Sequence, residues 1–169
     1  MTIIAIIGPS GAGKDTVADI IADMTGFEKL ISYTTRPMRE GEKQGREHHF
    51  VGQCITPPEK RLAYTVYGGY EYWTTIEQLN NHAVYVIDEE GLRSLRQRFP
   101  EIDIVTVLVT AKESVRLERG VSPQRIERDS SRLSTTNIGS YDHVVINNES
   151  FETLFDKVSF VVERIMSVL

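Results

Sequence analysis

The chain has 169 residues, 40% of them hydrophobic and 25% charged, and carries a net charge of −5. That size and balance suit one soluble α/β domain and argue against generic binding of nucleic acid or another polyanion, so any cationic site has to be local. No apolar run approaches the ~20 residues of a membrane span, and the single cysteine, Cys54, excludes an internal disulfide, suits a reducing cytoplasm and reads as a partly buried structural thiol.

The first predicted element is a buried strand over Ile3–Ile7, too short and too directly joined to the next segment to be a signal peptide. That segment is GPSGAGK (8–14), and after it comes a helix over 14–25 in which Val17, Ile20, Ile21 and Met24 recur at helical spacing. G-x-x-x-x-G-K between a strand and a helix is the pattern of a phosphate-binding P-loop. Gly8, Pro9, Ser10, Gly11, Ala12, Gly13, Lys14, Asp15 and Thr16 are therefore the candidate ATP-binding residues. The glycines turn backbone N–H groups inward, the helix N-terminus adds partial positive charge, and Lys14 reaches the outer phosphates. Asp15 stands where a hydroxyl would normally hold Mg²⁺. Either its carboxylate holds the metal through water, or it points away and Thr16 supplies the hydroxyl.

Lys29–Tyr33 reads as a short strand, and residues 34–75, dense in Gly, Pro, Arg, His and Tyr, lack a helical period. This stretch is expected to be a small β-rich insertion with a turn at PPEK (57–60) and strand and turn at YGGYEYW (67–73). AVYVID (83–88) is a second buried strand leading into a helix to Phe99, and IDIVTVLVT (102–110) is a third, succeeded by a helix over 111–118. The arginine-rich RGVSPQRIERDSSRL begins as a loop and becomes helix near Pro123; HVVIN (143–147) is the last strand and Phe151–Leu169 a long amphipathic helix. Strands alternating with helices predict an α/β fold, a P-loop NTPase-type parallel sheet with helices on both faces. The expected single domain has its core in 1–31, 76–118 and 137–169, a β-rich insertion for a monophosphate in 32–75, and a lid in 119–136.

Phosphoryl transfer needs positioning and neutralisation of charge on the moving group. Besides the P-loop it calls for a cationic clamp on the acceptor, cations that close over the transfer, and an acid near the metal. Arg36 and Arg39, held extended by Pro37, are the clamp. Arg119, Arg125 and Arg128 are the closing cations, interleaved with Glu118, Glu127 and Asp129. Asp88 is the acid, at the carboxyl end of a buried strand, where open parallel sheets bind ligands.

Over nearly its whole length the chain resembles the guanylate kinases. GPSGAGK looks like their P-loop, and SYTTRPMREGEKQGREHHFV (32–51) resembles their monophosphate-binding signature S-x-T-T-R-x-x-R-x-G-E-x-x-G-x-x-Y-x-F-V. GYEYWTT (69–75), VIDEEG (86–91), RLERG (116–120) and YDHVVINN (141–148) resemble the family's tyrosine segment, its I-D-x-x-G, the start of its lid and the segment beside adenine. The resemblance implies ATP-dependent phosphorylation of GMP or dGMP with Mg²⁺, in the cytoplasm, by a monomer or a dimer. It implies that Arg36, Arg39 and Tyr72 hold the acceptor phosphate and that Ser32, Thr74 and Asp88 face the guanine or its surroundings. Lys14, Arg119 and Arg128 then neutralise the phosphates, and Asn147 lies near the adenine.

Three positions depart from the family pattern. His48 stands in place of a phosphate-binding tyrosine, which predicts higher activity at lower pH. Trp73 replaces a glycine after Tyr72 and is expected to crowd the acceptor pocket. The glutamate that reads guanine falls at Ala63, which leaves ring donors costing about 1–3 kcal/mol each if buried without an acceptor, unless Glu59 or Glu71 reaches in. Alternatives accompany this reading. One is a ribose 1,5-bisphosphate phosphokinase, a group that often has the Lys-Asp-Ser/Thr ending seen at Lys14–Thr16, or another divergent P-loop kinase with a non-guanine acceptor. The other is a non-catalytic guanylate-kinase-like binding module.

Overall fold

The computed structural model describes residues 1–133 and 138–169. In chain order the elements are β1 (Thr2–Ile7), α1 (Lys14–Thr25), β2 (Glu28–Leu30), β3 (Tyr33–Thr34), β4 (His49–Phe50), β5 (Arg61–Tyr67), β6 (Tyr70–Thr75) and β7 (His82–Val86). They continue as α2 (Glu89–Arg98), β8 (Asp103–Thr110), α3 (Glu113–Glu118), α4 (Pro123–Leu133), β9 (His143–Ile146) and α5 (Phe151–Met166). Residues 134–136, the end of the expected lid, lie outside the described residues.

Five parallel strands in the order β2-β7-β1-β8-β9 make the central sheet. All six residues of β1 are buried, and they divide between two cores because successive side chains of a strand point to opposite faces. Ile4 and Ile6 join Val17 and Ile21 of α1 and Val158 and Val162 of α5. Ile3, Ala5 and Ile7 join Leu92 and Leu95 of α2 and Leu62 of β5. Helices on both faces explain why the strand is apolar throughout rather than alternating. Burial of this kind contributes roughly 25 cal/mol per Å² of apolar surface, so the two cores fix the carboxyl ends of β1, β7 and β8 where the P-loop and Asp88 begin.

The insertion forms a second sheet, β4-β3-β6-β5. The strand expected over Lys29–Tyr33 is in fact two pieces. Leu30 pairs with Tyr85 in the central sheet, whereas Tyr33 and Thr34 pair with Trp73 and Tyr72 in the second. The chain therefore changes sheets between 30 and 33, and this is where the insertion leaves the core. The helix expected from 111 starts at Glu113.

Trp73 does not crowd the acceptor pocket. It is 2% exposed, stacks on Tyr33 with ring centroids 5.5 Å apart, and donates its indole N–H to Thr56 Oγ1 at 2.9 Å. The period of two along β6 puts Tyr72 on one face and Trp73 on the other, so the large ring holds the back of the small sheet together.

Candidate active site

One cleft of about 280 Å³ opens between the carboxyl ends of β1 and β7 and the second sheet. Its P-loop wall carries Gly8, Pro9, Ser10, Lys14 and Asp15, and its opposite wall carries Ser32, Arg36, Arg39, His48 and Tyr72. Asp88 and Glu89 line its floor, and Arg125 and Asp129 of α4 reach it from the lid side.

Two glycines make the loop possible. Gly8 has φ 150°, and a Cβ there would sit 2.0 Å from the Val109 carbonyl oxygen. Gly13 has φ 95° as the N-cap of α1, and a Cβ there would stand 2.4 Å from Asn147 Nδ2. No side chain caps α1, so its first N–H groups are left for a ligand. Lys14 folds back along the loop and donates to the Pro9 carbonyl at 3.0 Å. Burial pushes its pKa down, and the charges of Asp15, Asp129 and Glu89 oppose that shift.

Arg36 is 6% exposed and meets Glu42 with both arms of its fork, at 2.9 and 2.8 Å. Glu42 also accepts from the Arg39 N–H at 2.7 Å. Burial alone would lower the Arg36 pKa, but Glu42 and Tyr72 more than offset it and the guanidinium stays charged. His48 shares a hydrogen bond with the Ser32 hydroxyl at 2.8 Å and lies edge-on to Tyr72. Burial, and then the nearby charge of Arg36, hold its pKa below the usual histidine value, so it is neutral at physiological pH. The predicted rise in activity at lower pH is therefore displaced to below about pH 6.5. Acceptor affinity should improve as pH falls through that region in the wild type more than in His48→Gln. The comparison removes the acceptor's own protonation near pH ~6, and equal slopes in KM would assign the gain elsewhere.

Several predicted residues do not reach the cleft wall. Arg119 donates to the Gly11 carbonyl at 2.9 Å and to Asn147, while Asn147 donates to the Ala12 carbonyl at 2.8 Å. Together they clasp the P-loop at Gly11 and Ala12, and neither lines the cleft. Arg128 lies over the Tyr67 ring at 4.3 Å. Thr74 is buried behind the wall and donates to the Tyr85 hydroxyl at 3.1 Å; the Tyr85 ring lines the cleft in its place. Thr16 is exposed and does not line the cleft, whereas Asp15 does. Ala63 lines the cleft and is 2% exposed, but neither Glu59 nor Glu71 does; the Glu71 carboxylate accepts from Tyr64 at 2.8 Å instead.

Two charged residues gained no site role from the sequence. Arg116 is 5% exposed and donates from Nε to the Ser10 carbonyl at 2.9 Å and from its fork to Asp129 at 3.3 Å. Asp129, also 5% exposed, accepts from the Ser10 N–H at 2.7 Å and from the Tyr67 hydroxyl at 3.2 Å. Its carboxylate thus ties α4 to the P-loop and to the tip of the β5–β6 hairpin. The spacing of Arg125 and Asp129, four apart on one helix face, was the available signal.

Asp88 accepts from the Gly91 N–H at 2.7 Å, capping α2, and from the Thr65 hydroxyl at 3.2 Å. Mg²⁺ bound with nucleotide needs only one or two carboxylates beside phosphate and water. Asp15, next to Lys14 and on the cleft side, fits that requirement. Among the described residues no cluster of three or more His, Cys, Asp or Glu side chains forms a self-sufficient metal cage, and no helix is long and apolar enough to cross a membrane.

The guanylate kinase family model matches residues 1–165. A guanylate kinase of Chlamydia pneumoniae is 29% identical, over 97% of this chain and 89% of its own. The crystal structure of a guanylate kinase from Anaplasma phagocytophilum superposes with a TM-score of 0.69 at 21% identity, covering 96% of this chain and 85% of that one. That likeness extends to the parallel sheet flanked by helices.

Proposed function

The chain belongs to the guanylate kinase family of nucleoside monophosphate kinases, and from that premise we propose that it transfers the γ-phosphoryl group of ATP to GMP or dGMP. The observation that carries the reading is the facing of two phosphate-binding walls across one cleft, Lys14 and the P-loop on one side and Arg36, Arg39, His48 and Tyr72 on the other. In-line transfer requires donor and acceptor phosphates to meet in this way.

In this reading the loop N–H groups and Lys14 bind the triphosphate. Asp15 would hold Mg²⁺, and the ion would supply neutralisation of the phosphate charge. Arg36, Arg39, Tyr72 and neutral His48 hold the acceptor phosphate, and no general base is required because its oxygen is already ionised. Ser32, Tyr85 and Asp88 flank the base, with Thr74 orienting Tyr85. Arg119 and Asn147 clasp the loop on the side proposed for adenine. Closure of α4 and the hairpin excludes water, which would otherwise consume ATP.

Ala63 leaves recognition of the base to other groups, so the acceptor is the quantity to test. ADP release from Mg²⁺–ATP is measured with GMP, dGMP, AMP, CMP, UMP, dTMP and ribose 1,5-bisphosphate in turn. Preference for GMP or dGMP supports the reading. Preference for the sugar bisphosphate replaces it, and ATP binding with no acceptor-stimulated release points to a binding module.

A further inference from the structure

We propose that Arg125 of α4 is a catalytic residue, its guanidinium neutralising the phosphoryl group between donor and acceptor, and that Asp129 is the positioning residue that holds it there. The inference rests on the kinase reading and names a group the family resemblance did not.

Among the described lid side chains, Arg125 is the arginine that lines the cleft; Arg119 is engaged by Gly11 and Asn147, and Arg128 lies over the Tyr67 ring. Its Nε is buried and has no hydrogen-bond partner among the described residues, an arrangement that costs free energy unless a ligand supplies an acceptor. It shares the cleft with both walls. Burial lowers the pKa of Lys14 on the donor side and of Arg39 on the acceptor side, and the charge of Arg125 adds to the lowering of both. A guanidinium that lines the same cleft as both cations is placed to meet the transferred group. Lys14, Arg39 and Arg125 repel one another, Asp15, Asp129 and Glu89 offset part of this at Lys14 and Glu42 part of it at Arg39, and a phosphoryl group with charge on its equatorial oxygens relieves the rest most fully in the transition state.

Asp129 sits one helical turn after Arg125 and is anchored at its far side by Ser10, Arg116 and Tyr67. Those contacts fix the rotation of α4 about its axis, and residues i and i+4 share a helix face. Docking Asp129 on the loop therefore turns Arg125 into the cleft. In the transfer, an unprotonated oxygen of the acceptor phosphate bonds to the γ-phosphorus as the bond from that phosphorus to the β–γ bridging oxygen breaks. The electron pair leaves with ADP, and no proton or redox partner takes part.

The test measures steady-state kinetics of Arg125→Ala with Mg²⁺–ATP and the acceptor that the wild type prefers. The expected result is a fall in kcat of about 100-fold with both KM values within about 3-fold, less than a lone arginine finger supplies because Lys14 and Arg39 share the charge. Added guanidinium ion should restore part of the loss in Arg125→Ala, and Arg125→Lys should keep part of the wild-type rate. Asp129→Asn should lower kcat by about 10-fold without response to guanidinium, since its arginine is present but misplaced. A kcat for Arg125→Ala within about 3-fold of wild type overturns the inference, as does a loss with no response to guanidinium and no retention in Arg125→Lys. A wild type with no acceptor-stimulated ADP release removes the kinase reading itself, and the inference with it.

Discussion

Lys14→Ala is expected to lower kcat by about 10³-fold or more while the protein remains folded. The ammonium is the cation the P-loop carries into the cleft, and it donates to the Pro9 carbonyl at 3.0 Å. Burial costs it part of its charge stability, and Asp15, Asp129 and Glu89 restore some of that. A triphosphate brings several negative charges into the same space, so the lysine gains most when nucleotide is bound and more as charge builds on the transferred group. Removing it leaves one carbonyl without a donor, a loss of about 1 kcal/mol to the fold. Thermal unfolding should therefore shift by a few degrees at most for a domain of this size. Turnover of Lys14→Ala at the wild-type rate, with melting unchanged, would defeat the P-loop assignment.

The parts legible in the sequence are those whose determinants are local. The P-loop is legible because strand, glycines, lysine and helix are contiguous and each has a physical role there. The five-stranded parallel sheet is legible because β1, β7 and β8 are apolar on both faces, which only a sheet covered by helices on each side requires. The features hidden from the sequence lie in contacts distant along the chain. Asp129 reads as one charge in an alternating run, and its role becomes visible only when α4 folds onto Ser10, 119 positions away. Arg116 is hidden for the same reason, as an arginine buried against the loop rather than solvated. Trp73 and Thr74 are misplaced by the sequence pattern although the strand alternation around Tyr72 is readable; Thr74 lies on the same side as Tyr72 but behind Tyr85, and only the central sheet reveals that. Resemblance to a family motif favours Arg119 and Arg128 among the lid arginines, whereas the helix face that carries Arg125 and Asp129 is the one turned to the cleft.

Arg36→Ala is expected to lower kcat/KM for the acceptor by about 10²–10³-fold while the KM for ATP changes little. Two effects add. The variant loses a bidentate cation on the acceptor wall, and it leaves the Glu42 carboxylate, held by the Arg39 N–H at 2.7 Å, facing an incoming phosphate of the same sign. The ion pair is well buried, with side-chain exposures of 7% and 16%. Removing one member of such a pair is more destabilising than removing both, at up to about 3–5 kcal/mol in fully buried cases. Arg36→Ala should accordingly melt lower than wild type, and a second change, Glu42→Gln, should recover much of that stability. The acceptor KM separates the two contributions. If Glu42 repulsion dominates, the double variant regains acceptor binding together with stability. If the lost cation dominates, stability returns and acceptor binding does not, and this is the expected outcome, because Arg39 is the remaining arginine on that wall and its pKa is lowered by burial and by its neighbours' charge. An acceptor KM unchanged in Arg36→Ala would remove Arg36 from the acceptor site and leave it a structural partner of Glu42 alone.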